Sequence, residues 1–189
     1  NPQPGPLNNG SFLTVAGANV LNYFNGPTFP TARGAVSQVE LDRQRAKIIP
    51  ALLSLDADVI ALMEIENDGT GADSAIQDLV NRLNTAEGST VWNFIPEPAP
   101  GSDAIKVSII YKTAVVTPDP AYPATNYQTD WDPTWGDVYT DVFSRPPLIQ
   151  TFIDVNGEKF TVIANHFKSK GCTDAAGLEL DQGDGQGCY

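Results

Sequence analysis

The chain's only histidine, His166, stands in Asn165-His166-Phe167-Lys168-Ser169-Lys170. There an apolar run, Lys159-Phe160-Thr161-Val162-Ile163-Ala164, gives way to a basic loop. The run reads as a buried β-strand. An imidazole at the end of such a strand, with two ammonium groups close behind, suits a phosphate. One histidine fits a core residue bonded to a neighbour equally well, so what matters is which groups other segments bring to the same place.

In open α/β sheets, ligands bind beyond the carboxyl ends of the strands. A first strand ends at Asn19, with Asn22 just beyond it. A second ends at Glu64, followed at alternate positions by Glu66 and Asp68; an extended chain would point all three one way. Another ends at Tyr111-Lys112, and the last at Asn165-His166. The set is oxygen-rich with a single imidazole, which favours Mg²⁺, Mn²⁺ or Ca²⁺ over zinc. Taken singly, Asn19 fits a turn, Glu64 a solvated strand end and Tyr111 a core position. Lys168 and Lys170 fit a solvated basic loop as well as a phosphate track.

The elements that must position these groups follow from the apolar pattern. Residues 1–11 are expected to be an extended segment, and residues 12–189 one domain. Phe12 to Val20 reads as a strand apolar on both faces, hence central. Glu40 to Leu55 reads as a helix with Leu41, Ile48, Leu52 and Leu55 on one stripe, kinked or split at Pro50, which lacks a backbone donor. Asp58 to Met63 is a buried strand. Ile76, Leu79, Val80 and Leu83 mark a second helix, with Ser74-Ala75-Ile76-Gln77 as a capping box. Strands are then predicted over Val91 to Ile95, Ile105 to Lys112, Leu148 to Val155 and Lys159 to Phe167, with Asn156-Gly157 as a hairpin turn. Pro118 to Ser144 reads as a long ordered loop. Strand-helix-strand followed by a run of strands indicates an α/β or α+β fold with mixed sheets.

Composition bounds the rest. A 41% hydrophobic and 18% charged chain of 189 residues can bury one core. No apolar run is long enough to span a membrane. The net charge of −12 repels phosphates at long range, so an anionic substrate needs a local positive site or a divalent cation. Cys172 and Cys188 enclose a Gly- and Asp-rich stretch whose length fits a disulfide loop worth roughly 3 kcal/mol; a zinc site there would lack a second histidine. The disulfide and the acidic balance suggest an exported protein, secreted or periplasmic. Asp181 and Asp184 fit that loop better than a Ca²⁺ site, because their spacing is not that of an EF-hand.

Ala18-Asn19-Val20, Leu62-Met63-Glu64, Ile110-Tyr111-Lys112, Phe143-Ser144-Arg145-Pro146 and Ala164-Asn165-His166 occur in an order that resembles the endonuclease/exonuclease/phosphatase superfamily. Asn19 to Phe24, Met63 to Gly69, Asn165 to Cys172 and Asp181 to Cys188 resemble secreted bacterial nucleases of the ExeM type. The resemblance implies half of a four-layer α/β/β/α sandwich and a metal-dependent phosphodiesterase that hydrolyses DNA, with RNA as a second candidate substrate. It implies that Glu64 binds the cation (Mg²⁺ or Mn²⁺, with Ca²⁺ as the alternative), with Asn19 beside it as ligand or orienter. His166 would hydrogen-bond the scissile phosphate or supply a proton to it. Arg145 and Tyr111 would clamp the phosphate, and Lys168, Lys170, Asn22 and Asn165 would contact substrate. The superfamily's Gly-Asp-x-Asn and Ser-Asp-His segments have no counterpart in these 189 residues. The resemblance therefore implies a missing C-terminal half as partner, and an inactive chain without it. Rival readings are a phosphomonoesterase or lipid phosphodiesterase on the same fold, and a non-catalytic binding module.

Overall fold

The computed structural model describes residues 13–126, 131–132, 136–137 and 145–167. Twelve elements follow in order: β1 (Val15–Tyr23), α1 (Gln38–Ser54), β2 (Val59–Glu66), α2 (Ala75–Glu87), β3 (Trp92–Phe94), β4 (Ile105–Lys112), β5 (Val116–Pro118), β6 (Thr125–Asn126), β7 (Trp131–Asp132), β8 (Gly136–Asp137), β9 (Leu148–Asp154) and β10 (Lys159–Ala164). The fold class is α+β, as the pattern predicts. One sheet is mixed, in the order β1-β2-β4-β3, with β1 and β2 parallel and β4 antiparallel to both β2 and β3. The second, β10-β9-β5 with β6 also on β9, is antiparallel.

Two apolar clusters join three layers. Leu52, Ile76, Leu79 and Leu83 of the helices meet Ile60, Leu62 and Ile110 on one face of the mixed sheet. Val59, Val107, Ile109 and Tyr111 on its other face meet Leu148, Phe152 and Val162 of the second sheet. β4 is therefore buried on both faces, with Val107, Ile109 and Tyr111 in the second cluster and Ile110 in the first. No helix among the described residues is long and apolar enough to cross a membrane.

The helices follow their local chemistry. Ser37 and Ser74 cap α1 and α2 by accepting from Glu40 N and Gln77 N. The predicted capping box is half formed, since Ser74 N donates to Gly71 O at 3.1 Å and not to the Gln77 side chain. Gly88 ends α2 with φ 72°, the left-handed closure glycine favours. Pro50 lies inside α1 without splitting it. The β9–β10 turn uses Gly157 at φ 84°, with Asp154 Oδ1 accepting from Asn156 N and Glu158 N at 2.8 Å each.

β1 departs from expectation. It is an edge strand among the described residues, and Val15 and Leu21 are 48% and 70% exposed. Its apolar residues face the helices on one side only, because the second sheet packs on β2 and β4 and not on β1.

Candidate functional site

The site forms where the register of β1 against β2 breaks. Asn19 pairs with Met63 and Tyr23 with Ile65, so the intervening residues bulge. Leu21 and Asn22 take φ 56° and 51°, and Glu64 takes φ 69°. Non-glycine residues avoid this region at a cost of about 1–2 kcal/mol each, and such departures gather at functional sites. Here they aim groups at one carboxylate. Asn19 Nδ2 donates to Glu64 Oε1 at 2.7 Å, and Asn22 N to Oε2 at 3.0 Å. Gln44 of α1 satisfies the carbonyls left by the bulge, donating to Val20 O and Leu21 O at 3.0 and 2.8 Å.

The second sheet delivers a guanidinium and the imidazole. β9 and β10 are antiparallel with Leu148 opposite Ala164. Arg145, three residues before β9 in sequence, and His166, two after β10, therefore share one end of the hairpin. Arg145 Nη1 lies 3.0 Å from His166 Nδ1 and 3.3 Å from Nε2. His166 Nε2 is 3.7 Å from Glu64 Oε1. Asn19, Asn22, Glu64, Arg145 and His166 thus converge from four separate segments; of the four predicted strand ends, that of Tyr111 is not among them.

Other candidates lie elsewhere. Tyr111 pairs with Val59, at the start of β2, whereas Glu64 is near its end. Five residues of strand separate the two levels by roughly 16 Å. Tyr111 is buried, packs on Phe152 with ring centroids 5.4 Å apart, and its hydroxyl is pushed up by burial, with Asn93 pulling the other way. The antiparallel direction of β4 keeps it out of the cluster. Asn165 Nδ2 donates to Ile163 O at 3.3 Å, a local bond. Glu66 and Asp68 do not join Glu64, because the left-handed turn at Glu64 breaks the alternation. Glu66 accepts from Asn25 N at 3.3 Å, and Asp68 accepts from Ala75 N at 2.9 Å at the start of α2. Burial raises both carboxyls, Glu66 further through Asp68. Lys168, Lys170, Cys172, Cys188, Asp181 and Asp184 lie outside the described residues.

Asp103 escaped the sequence reading. Its side chain is 7% exposed and forms ion pairs with Arg145 Nε at 3.2 Å and Arg33 Nη2 at 2.9 Å. Asn67, just past β2, holds its loop by donating to Gly101 O and Asp103 O at 3.0 and 2.9 Å. An aspartate in a Gly-Ser-Asp loop looks like any turn residue, so no local signal marks it.

Burial and the Arg145 charge depress the His166 imidazole below 6.5, against a smaller opposing pull from Glu64 and Asp103. The Arg145 contact has the same preference, since guanidinium N–H groups only donate and need an unprotonated ring nitrogen. His166 is therefore neutral at pH 7. Unfolded chain takes up the proton first, so this residue withdraws stability as pH falls below 6.5. In the metal-free protein, an NMR titration of this single imidazole is expected to show a midpoint below 6.5, and Arg145→Gln should raise it. A wild-type midpoint at or above 6.5 would contradict the assignment.

For a cation, Glu64 offers a hard oxygen donor. Asn19 Oδ1 already accepts from Leu21 N at 2.8 Å, so this amide orients Glu64 in the present arrangement. No group of three or more His, Cys, Asp or Glu side chains that could hold a metal gathers among the described residues. Mg²⁺ does not require one, because it keeps several waters and takes one or two carboxylates plus substrate phosphate. The donor set fits such a lightly held ion and does not fit a closed zinc site.

No protein-family model matches the chain, and no curated protein does. Among solved structures, an endonuclease/exonuclease/phosphatase family protein from Bacteroides thetaiotaomicron is similar at 15% identity and a TM-score of 0.47. The match covers 80% of this chain and 48% of that one, so the chain spans about half the length of its neighbour. At that level the likeness carries no chemistry across.

Proposed function

We propose that the protein is a phosphodiesterase of the endonuclease/exonuclease/phosphatase kind, acting on nucleic acid with a divalent cation such as Mg²⁺. The observation that carries this reading is the meeting of Glu64, Asn19, Arg145 and His166 around a left-handed Glu64. A cation held by Glu64 would polarise a phosphate oxygen and stabilise the leaving oxyanion. The chain's own groups do the rest. Asn19 and the Asn22 N–H hold the Glu64 carboxylate in place. Arg145 presents a planar fork to phosphate, on a stem fixed by Asp103. His166, neutral at pH 7, keeps one ring N–H to donate to a phosphate oxygen. Secretion, and a disulfide between Cys172 and Cys188, belong to the same proposal and rest on composition and the sequence resemblance.

The test uses the natural full-length chain with Mg²⁺, assayed on plasmid DNA, RNA and a soluble phosphate monoester. Cleavage of nucleic acid, abolished by a chelator and restored by Mg²⁺, is expected. Hydrolysis of the monoester alone would replace the reading with a phosphomonoesterase. Nucleic-acid binding without cleavage under any divalent cation would make it a binding module.

A further inference from the structure

Asp103 joins two arginines, and only one of them reaches His166. Arg145 Nε lies on Oδ2 at 3.2 Å and Arg33 Nη2 on Oδ1 at 2.9 Å. Two cations on one carboxylate leave a local net charge of about +1, on a chain whose total is −12. The Arg33 side chain is 48% exposed, and among the described residues its ion pair is with Asp103 alone. A guanidinium carries five N–H donors, more than the single ion pair to Asp103 uses.

The loop that carries Arg33 is pinned to the site. A Cβ on the next residue, Gly34, would stand 2.7 Å from Asn22 O and 2.8 Å from Phe24 Cβ; only glycine lets the loop press this close to the end of β1. Asn22 is the residue whose N–H holds Glu64. Thr31 closes the loop, its N and Oγ1 both donating to Ala35 O at 3.1 and 2.9 Å. Arg33 thus stands on a backbone braced against Asn22, tied through Asp103 to the arginine at His166.

We propose that Arg33 is a second anion subsite, fitted to a phosphate adjacent to the scissile one on a polynucleotide strand. The inference rests on the phosphodiesterase reading above and names what it selects: a substrate with consecutive phosphates over one with a single phosphodiester. Both guanidiniums rest on one carboxylate, so an extended anion that engages Arg145 has the second cation within reach. A single small diester engages Arg145 and leaves Arg33 without a partner.

The test compares kcat/KM for a short single-stranded oligonucleotide with that for bis(p-nitrophenyl) phosphate, on the natural full-length chain with Mg²⁺ over a range of salt. Arg33→Gln is expected to lower the oligonucleotide-to-diester ratio about tenfold, chiefly through KM. It should also flatten the salt slope of oligonucleotide KM by about one. Arg33→Lys should restore the slope while recovering only part of the ratio, because it keeps the charge and loses the fork. Arg43→Gln, exposed on α1, is the control and should change neither. A ratio within twofold of wild type overturns the subsite. So does a parallel loss on both substrates, which would make Arg33 only an anchor for Asp103. A wild-type chain that cleaves neither substrate overturns the phosphodiesterase reading and the subsite with it, whereas cleavage of both with an unchanged ratio overturns the subsite alone.

Discussion

Glu64→Gln is expected to lower phosphodiester turnover by about 10³-fold, the scale lost when one preorganised electrostatic group is removed. The change is nearly isosteric and keeps one acceptor for Asn19 or for Asn22 N–H. It removes the negative charge that a cation needs and that lies 3.7 Å from His166. The fold should survive, because Gln44, Asn19 and the β1–β2 pairing still hold the bulge. Left-handed backbone persists only where the surroundings over-determine it, and those contacts do not depend on the carboxylate charge. Turnover on an oligonucleotide and a thermal melt of the same preparation give both readings. Turnover within tenfold of wild type would remove Glu64 from the chemistry, and a collapsed melt would make its role structural.

Lys106→Met is expected to cost about 3–5 kcal/mol of stability, the range for breaking one side of a buried ion pair. Lys106 Nζ lies 2.6 Å from Glu97 Oε2, and both side chains are 0% exposed. Nζ also donates to Gly69 O at 2.7 Å, and Ser108 Oγ donates to Glu97. With methionine, Glu97 is buried without a counter-charge. Burial already raises the Glu97 carboxyl, with Lys106 and Ser108 pulling it down; losing Lys106 raises it further. A carboxyl whose folded value lies above its unfolded one favours the fold below that unfolded value, and the benefit fades as pH rises through the folded one. The cost of Lys106→Met should therefore be smaller at pH 5 than at pH 8, as read by urea melts at each. Adding Glu97→Leu should recover much of the loss, since apolar replacement of both partners is commonly near neutral. A cost below about 1 kcal/mol at pH 8 would show that the pair supports nothing. Lys106 faces Ile65, next to Glu64, so the pair sits under the strand end that carries the site.

The sequence by itself determined whatever depends on neighbours a few residues apart. β4 has its predicted bounds, Ile105 to Lys112, because an apolar run between turn signals is complete in itself. Ser74 and Gly157 act where their side-chain and backbone preferences put them. Asn19, Glu64 and His166 were legible because each follows an apolar run, where a polar residue interrupts the pattern; β1 and β2 continue past Asn19 and Glu64 to Tyr23 and Glu66. Arg145 was read only through the resemblance, since it follows no strand. Tertiary structure decided what depends on strand direction and on partners far along the chain. Tyr111 lies near the C-terminal end of its strand as Glu64 does, yet β4 runs antiparallel to β2 and carries it to the opposite end of the sheet. No residue within β4 encodes that direction. The alternation of Glu64, Glu66 and Asp68 failed at a left-handed residue that a local pattern does not announce. Arg33, Asp103 and Arg145 are far apart in sequence, and they meet because a glycine-pinned loop, an asparagine-held loop and a hairpin end at one place. Periodicity reports which face of an element is apolar; which elements are then brought together is set by packing the whole chain.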